Sequence, residues 1–219
     1  MSSRGDRGHP GSMRGLLTYS AGMGSAALAE WQSNRDSRIH ELYAAHSLVG
    51  GSNRGRRYAT EQLNWSITLR LAGEFQGFVR DLHDEAVDVF LARCHHPTRA
   101  FESNLRILLS SNRQLSNRNA TSSTLQQDFG RFGFLILDDI KSGYRYGPTW
   151  LKRLEELNMA RNGVAHDDQA KMAAAAGGGG RLGLRRVREW HSAVRGLAQA
   201  FDRVTAENLA KVMGGEEPW

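Results

Sequence analysis

The stretch PTWLKRLEELNMARNGVAHDD, residues 148–168, decides how this chain is read. Gly147 precedes it, and Pro148 stands at a first helical position that proline tolerates, so a helix starts here. Trp150, Leu154, Leu157 and Val164 recur at helical spacing and predict one apolar stripe. Position 161 completes that stripe, yet it carries Arg161, and an arginine on a core-facing line is costly unless it is paired or used. The adjacent line carries Asn158, Asn162 and His166, each four residues apart and therefore stacked on one face. Small residues, Gly163 and Ala165, lie between them and would let another backbone approach. Polar groups thus stand where packing alone would put apolar ones, which marks a candidate site. Each residue also has an ordinary account: a histidine near a helix end is commonly a cap, and an arginine there interacts well with the helix dipole.

Working outward, 219 residues with 40% hydrophobic content suffice for one sizeable domain. No apolar run approaches the length of a membrane span, and the first residues, MSSRGDRGHPGSM, lack the apolar centre of a signal peptide. Cys94 is the single cysteine, which excludes an intramolecular disulfide and fits a reducing cytoplasm. The net charge is +6, from 25 Arg and 4 Lys against 23 acidic residues. Residues 1–57 carry +4, residues 58–179 are balanced and residues 180–219 carry +2. Basic ends around a neutral middle can steer a polyanion, although a general preference for arginine gives the same sum.

In chain order, residues 1–23 read as a flexible leader rich in Gly, Ser and Arg. Residues 25–48 predict an amphipathic helix with a wet middle, and the VGGSNRGRR run predicts a loop. Thr60 is placed to cap a long helix over 61–94, whose stripe Ile67, Leu71, Phe75, Phe78, Leu82, Ala86 and Val89 makes it the central element. Leu69, Val79, Val87, Phe90 and Leu91 widen that stripe. The run Cys94, His95, His96 reads as a helix end, because three adjacent residues cannot converge on one ion, and no other set has metal-ligand spacing. No metal and no cofactor are expected. A short helix around Phe101–Leu109, a polar loop over 113–123, a short helix near 125–132 and an apolar segment over 134–140 follow. The glycine-rich residues 170–183 predict a flexible connector without the Lys-Ser/Thr pair of a phosphate loop. Residues 184–213 form the clearest periodic element, with Val187, Trp190, Val194, Leu197, Phe201 and Val204 stepping like a heptad seam. The expectation is therefore all-α, a single helical domain over 24–213 with a tail at 214–219.

The segment RNGVAH (161–166), with its Arg-x4-His spacing on a helix, resembles the motif of the HEPN superfamily of helical ribonucleases, most of all its RiboL-PSP-like branch. The resemblance covers roughly residues 60–212 as helix order plus the motif. It implies a HEPN-like helical bundle that dimerises through the motif helix, with Arg161, Asn162 and His166 at a shared catalytic cleft. It also points to Glu74, ahead of Phe75, and to Asp81 as supporting acids. Both acids have simpler partners in Arg70 or Arg80, or in a buried Arg161. Residues five apart on a straight helix differ by about 140°, so one copy cannot easily aim Arg161 and His166 at one phosphate, whereas two copies across a twofold axis can.

The chemistry so implied is metal-independent RNA cleavage by the substrate's own 2′-hydroxyl, leaving a 2′,3′-cyclic phosphate. Histidine is suited to moving the protons and arginine to holding the phosphate. By family analogy the endonuclease would be a toxin or anti-phage effector, with an antitoxin or defence-system protein as partner. The alternative is a helical dimer of the same type that binds RNA or protein as an adaptor without cutting.

Overall fold

The computed structural model describes residues 24–50, 57–177 and 181–219, which contain helices and no strand. The order is α1 (Ala26–Glu30), a π-helical turn (Trp31–Arg35), α2 (Asp36–Gly50), α3 (Arg57–Arg93), α4 (Arg99–Ser110), α5 (Ser122–Phe129), α6 (Ile136–Gly143), α7 (Gly147–Ala165), α8 (Gln169–Ala175) and α9 (Leu184–Met213). The all-α expectation stands, and no helix among the described residues is long and apolar enough to cross a membrane. The expected leader (1–23) and the tip of the first loop (51–56) lie outside the described residues.

Helix α3 is the hub and packs against α1, α2, α4, α7 and α9. Its stripe from Ile67 through Val89 is buried as the spacing predicts, with Leu71, Phe75, Phe78 and Leu82 wholly inaccessible. Of the residues expected to widen it, Leu69 is exposed instead. The six heptad-like positions of α9 are all buried, and Phe201 meets Phe75 edge-on at 6.1 Å. Thr60 is not a cap: α3 begins at Arg57, so Thr60 lies within it.

The helix expected over 25–48 is interrupted. Asp36 N–H bonds the Trp31 carbonyl, five residues back, and this wide turn rotates the two halves relative to each other. Trp31 consequently enters the core against Phe75 and Phe78, while Arg35 reaches α3. Two expected irregular regions are also ordered. The connector over 170–183 contains α8, whose Ala175 is buried, and only its glycines 178–180 lie outside the described residues. The expected tail folds back, burying Pro218 and Trp219.

Candidate active site

Helix α7 is set by two close approaches. A Cβ at Gly147 would collide with the Ile140 carbonyl, so only glycine lets α7 start against the end of α6. A Cβ at Gly196 would lie 2.6 Å from the Trp150 ring, so α9 presents a bare backbone to that indole. Leu151, Leu154, Leu157 and Ala160 fill the core side of α7. The polar line has a structural use for two of its three members. Buried Asn158 donates to the Ala120 carbonyl at 2.9 Å. One turn later, Asn162 Oδ1 accepts from Asn119 Nδ2 at 2.6 Å. Together they fasten the loop before α5 onto α7.

The end of α7 is a Schellman turn. His166 N–H bonds the Asn162 carbonyl at 3.2 Å, Asp167 N–H the Val164 carbonyl at 3.4 Å and Asp168 N–H the Gly163 carbonyl at 2.8 Å. Asp167 takes the left-handed position, at φ +50°, that glycine usually fills. Asp168 then caps α8 by accepting from Lys171 N–H at 3.1 Å. His166 therefore leaves the helix as its last capping residue and is exposed, so the 140° helical angle to Arg161 does not carry through to it. Gly163 is small for a reason inside the chain: a Cβ there would lie 3.0 Å from Met172 Cγ and 3.1 Å from its backbone nitrogen. Helix α8 occupies the space that the sequence left open for a second copy, and Ala165 alone of the two small residues stays exposed.

Arg161 is half-buried, and its Nη1 donates to Asn162 Oδ1 at 3.2 Å. No carboxylate among the described residues pairs with it. The two acids suggested for that role are taken: Glu74, buried on α3, meets Arg35 at 3.0 Å, Arg38 at 3.3 Å and Arg70 at 2.5 Å. Asp81 meets Arg35 at 2.5 Å and Arg80 at 3.8 Å. They seal the seam between the π-turn and α3, where Gly77 makes room for the Arg35 guanidinium. Glu74 and Asp81 therefore do not support Arg161. The Asn162 side chain likewise meets Asn119 and Arg161 rather than the imidazole of His166, which makes it a positioning residue for the arginine. Arg161 and Asn162 are brought together, with His166 one turn on.

Spacing along the chain could not reveal a cleft of about 510 Å³ between α7 and α9, lined by Trp150, Arg153, Arg185, Arg188 and Glu189 among others. Arg153 bridges Glu156 at 2.8 Å and Glu189 at 3.2 Å. Burial raises the Glu156 pKa, but hydrogen bonds from Arg153 and Trp190 and the nearby Arg186 outweigh it and hold that carboxyl below its ordinary value. A second group, Asp36, His40 and His191, is drawn from α2 and α9 and has the donor types that hold metals. Desolvation holds His191 below its ordinary pKa against the opposing pull of Asp36. The compositional signal for either site was weak, since each joins residues far apart in sequence. Compared with known proteins, the chain matches no family model, no curated protein and no solved structure.

Proposed function

We propose that this chain is a metal-independent RNA endonuclease acting as a homodimer, with Arg161 and His166 at its centre. The observation that carries the reading is the state of Arg161. It is half-buried, steered by a neutral amide and uncompensated by any carboxylate among the described residues. A partly buried cation without a carboxylate partner is free to receive an anion, and a guanidinium can meet two phosphate oxygens at once. His166, exposed on the adjoining turn, supplies an imidazole, the side chain most often used for positioned proton transfer. Asn162 positions Arg161 while being held by Asn119.

In the mechanism, an imidazole takes the 2′-hydroxyl proton, the 2′-oxygen attacks phosphorus, and Arg161 offsets charge on the phosphorane. A second protonated imidazole gives its proton to the leaving 5′-oxygen, and the product ends in a 2′,3′-cyclic phosphate. One chain offers one such histidine, so a second copy placing its own motif in the same cleft completes the acid–base pair. The dimer axis then lies by the exposed side of the 165–168 turn, because α8 covers Gly163. In the role suggested by the HEPN resemblance, the enzyme is a cytoplasmic toxin or anti-phage effector restrained by a partner protein.

The competing reading, an adaptor that binds without cutting, draws on the apolar side chains that α4 exposes, Phe101, Ile107 and Leu108. Incubating RNA with wild type and with His166→Ala separates the two. Cleavage by wild type alone, with cyclic phosphate ends, supports the enzyme; binding without cleavage by either supports the adaptor.

A further inference from the structure

Asp36 and His40 stand one helical turn apart on α2, and His191 faces them from α9, 155 residues beyond Asp36. His191 Nε2 lies 2.6 Å from Asp36 Oδ1, and His40 Nε2 lies 3.5 Å from Asp36 Oδ2. One ligand atom from each residue falls within 4.8 Å of the others. The two imidazole rings are 5.4 Å apart and inclined at 60°, so they converge on the carboxylate rather than stack. Two imidazoles and a carboxylate are a donor set for Zn²⁺ and related divalent ions, and three protein ligands leave a fourth position for water.

Tyr43 adds an independent observation. It continues the same face of α2, its ring lies 5.6 Å from that of His191, and its hydroxyl is buried without a hydrogen-bond partner among the described residues. A buried hydroxyl normally finds a partner, and this one belongs to a ring packed against both the His40 and the His191 imidazoles. We propose that Asp36, His40 and His191 bind one divalent transition-metal ion of the zinc type, which clips α2 to α9. The site is separate from the Arg161–His166 turn and does not depend on the ribonuclease reading.

Two cations oppose the ion and set its limits. Arg195 Nε lies 3.5 Å from Asp36 Oδ2, and the Arg188 guanidinium sits 5.6 Å from the centre of the Tyr43 ring. Both side chains reach solvent, so Arg195 can give up its place on the carboxylate when a metal arrives. A bound ion would take the place of the His191–Asp36 hydrogen bond, using the imidazole nitrogen and the carboxylate oxygen that face each other across it.

The test is calorimetric titration of the untagged, chelator-stripped full chain with zinc chloride at pH 7.5, with melting temperature as a second readout. The expected result is one Zn²⁺ per chain and a rise in melting temperature. His40→Ala, at an exposed position, should leave the helical circular dichroism unchanged and abolish both effects. Its affinity loss should exceed the roughly 10–100-fold that even outer-shell partners of a metal are worth. A His95→Ala/His96→Ala double variant should bind as wild type does. No binding at millimolar zinc, or binding that survives His40→Ala, overturns the site, as does binding that disappears in the His95/His96 variant.

Discussion

Arg35 Nη1 lies 3.0 Å from the Glu74 carboxylate, and the same guanidinium reaches Asp81 through Nη2 at 2.5 Å. Arg38 and Arg70 complete the shell around Glu74, which is 5% exposed. A buried carboxylate among three arginines is held by them, and removing it leaves the mostly buried Arg35 with the part-exposed Asp81 as its one remaining carboxylate. Glu74→Ala should cost about 3–5 kcal/mol of unfolding free energy, read from a denaturant titration. A cost near 1 kcal/mol, the scale of an exposed pair, would show that the arginines simply rehydrate.

That ion cluster also shows where the sequence stopped being legible. The stripes of α3 and α9 were readable because burial of a helix face imposes a period of 3.6 residues, and each of Phe75, Leu82, Trp190 and Phe201 falls where that period puts it. Arg161, Asn162 and His166 could be singled out for the same reason in reverse, as polar residues on lines that packing would make apolar. Of the partners of Glu74, Arg70 was legible one turn before it on the same helix, but Arg35 was not, since it reaches α3 only after the π-turn, and no periodicity announces one extra residue in a turn. The polar run from Arg113 looked like a loop. Yet the carboxylate of Asp128 accepts from the backbone N–H groups of Gln114 and Leu115 at 2.9 and 2.7 Å, and this pulls the run into the core. Long-range pairing of polar groups leaves no local trace.

His83, fully buried on α3, gives a pH prediction from that buried region. Its Nε2 donates to the Asp128 carbonyl at 3.2 Å and its Nδ1 accepts from Arg113 Nη1 at 3.3 Å, which fixes a neutral imidazole. Desolvation, reinforced by the Arg113 charge, lowers its pKa to about 4 from 6.5. Between these values the unfolded chain binds a proton that the native one refuses, so stability falls as pH drops from 6.5 towards 4 and is fully present above 6.5. The contribution is about 3 kcal/mol at most. His83→Gln should flatten the stability profile in that window relative to wild type, and identical slopes would remove His83 as the cause.

Arg161→Ala should separate catalysis from stability. With no carboxylate partner among the described residues, the side chain gives up one hydrogen bond to Asn162, worth about 0.5–1.5 kcal/mol. RNA cleavage should fall to background while the melting temperature moves little. A stability loss on the scale expected for Glu74→Ala would mean that Arg161 holds the fold, and the anion-receptor reading would fail.

His166 offers the sharpest outcome. It is exposed in a Schellman turn whose hydrogen bonds come from the backbone alone, so His166→Ala leaves the turn and the fold in place. If its imidazole moves the protons, cleavage should drop roughly 10²–10⁴-fold, the usual worth of a positioned acid or base. In the proposed dimer the second copy supplies the partner imidazole, so a mixed dimer of His166→Ala and Arg161→Ala chains holds one imidazole only, and mixing the two inactive variants should not restore activity. A substrate with 2′-deoxyribose at the cut position should remain intact, since it lacks the internal nucleophile. Chelators should leave the cleavage rate of folded enzyme unchanged even where they lower its melting temperature through the Asp36–His40–His191 site. Cutting of the deoxy substrate, or a rate abolished by chelation at temperatures where the chain stays folded, would mean that a metal-activated water attacks phosphorus. His166 would then be a helix cap and nothing more.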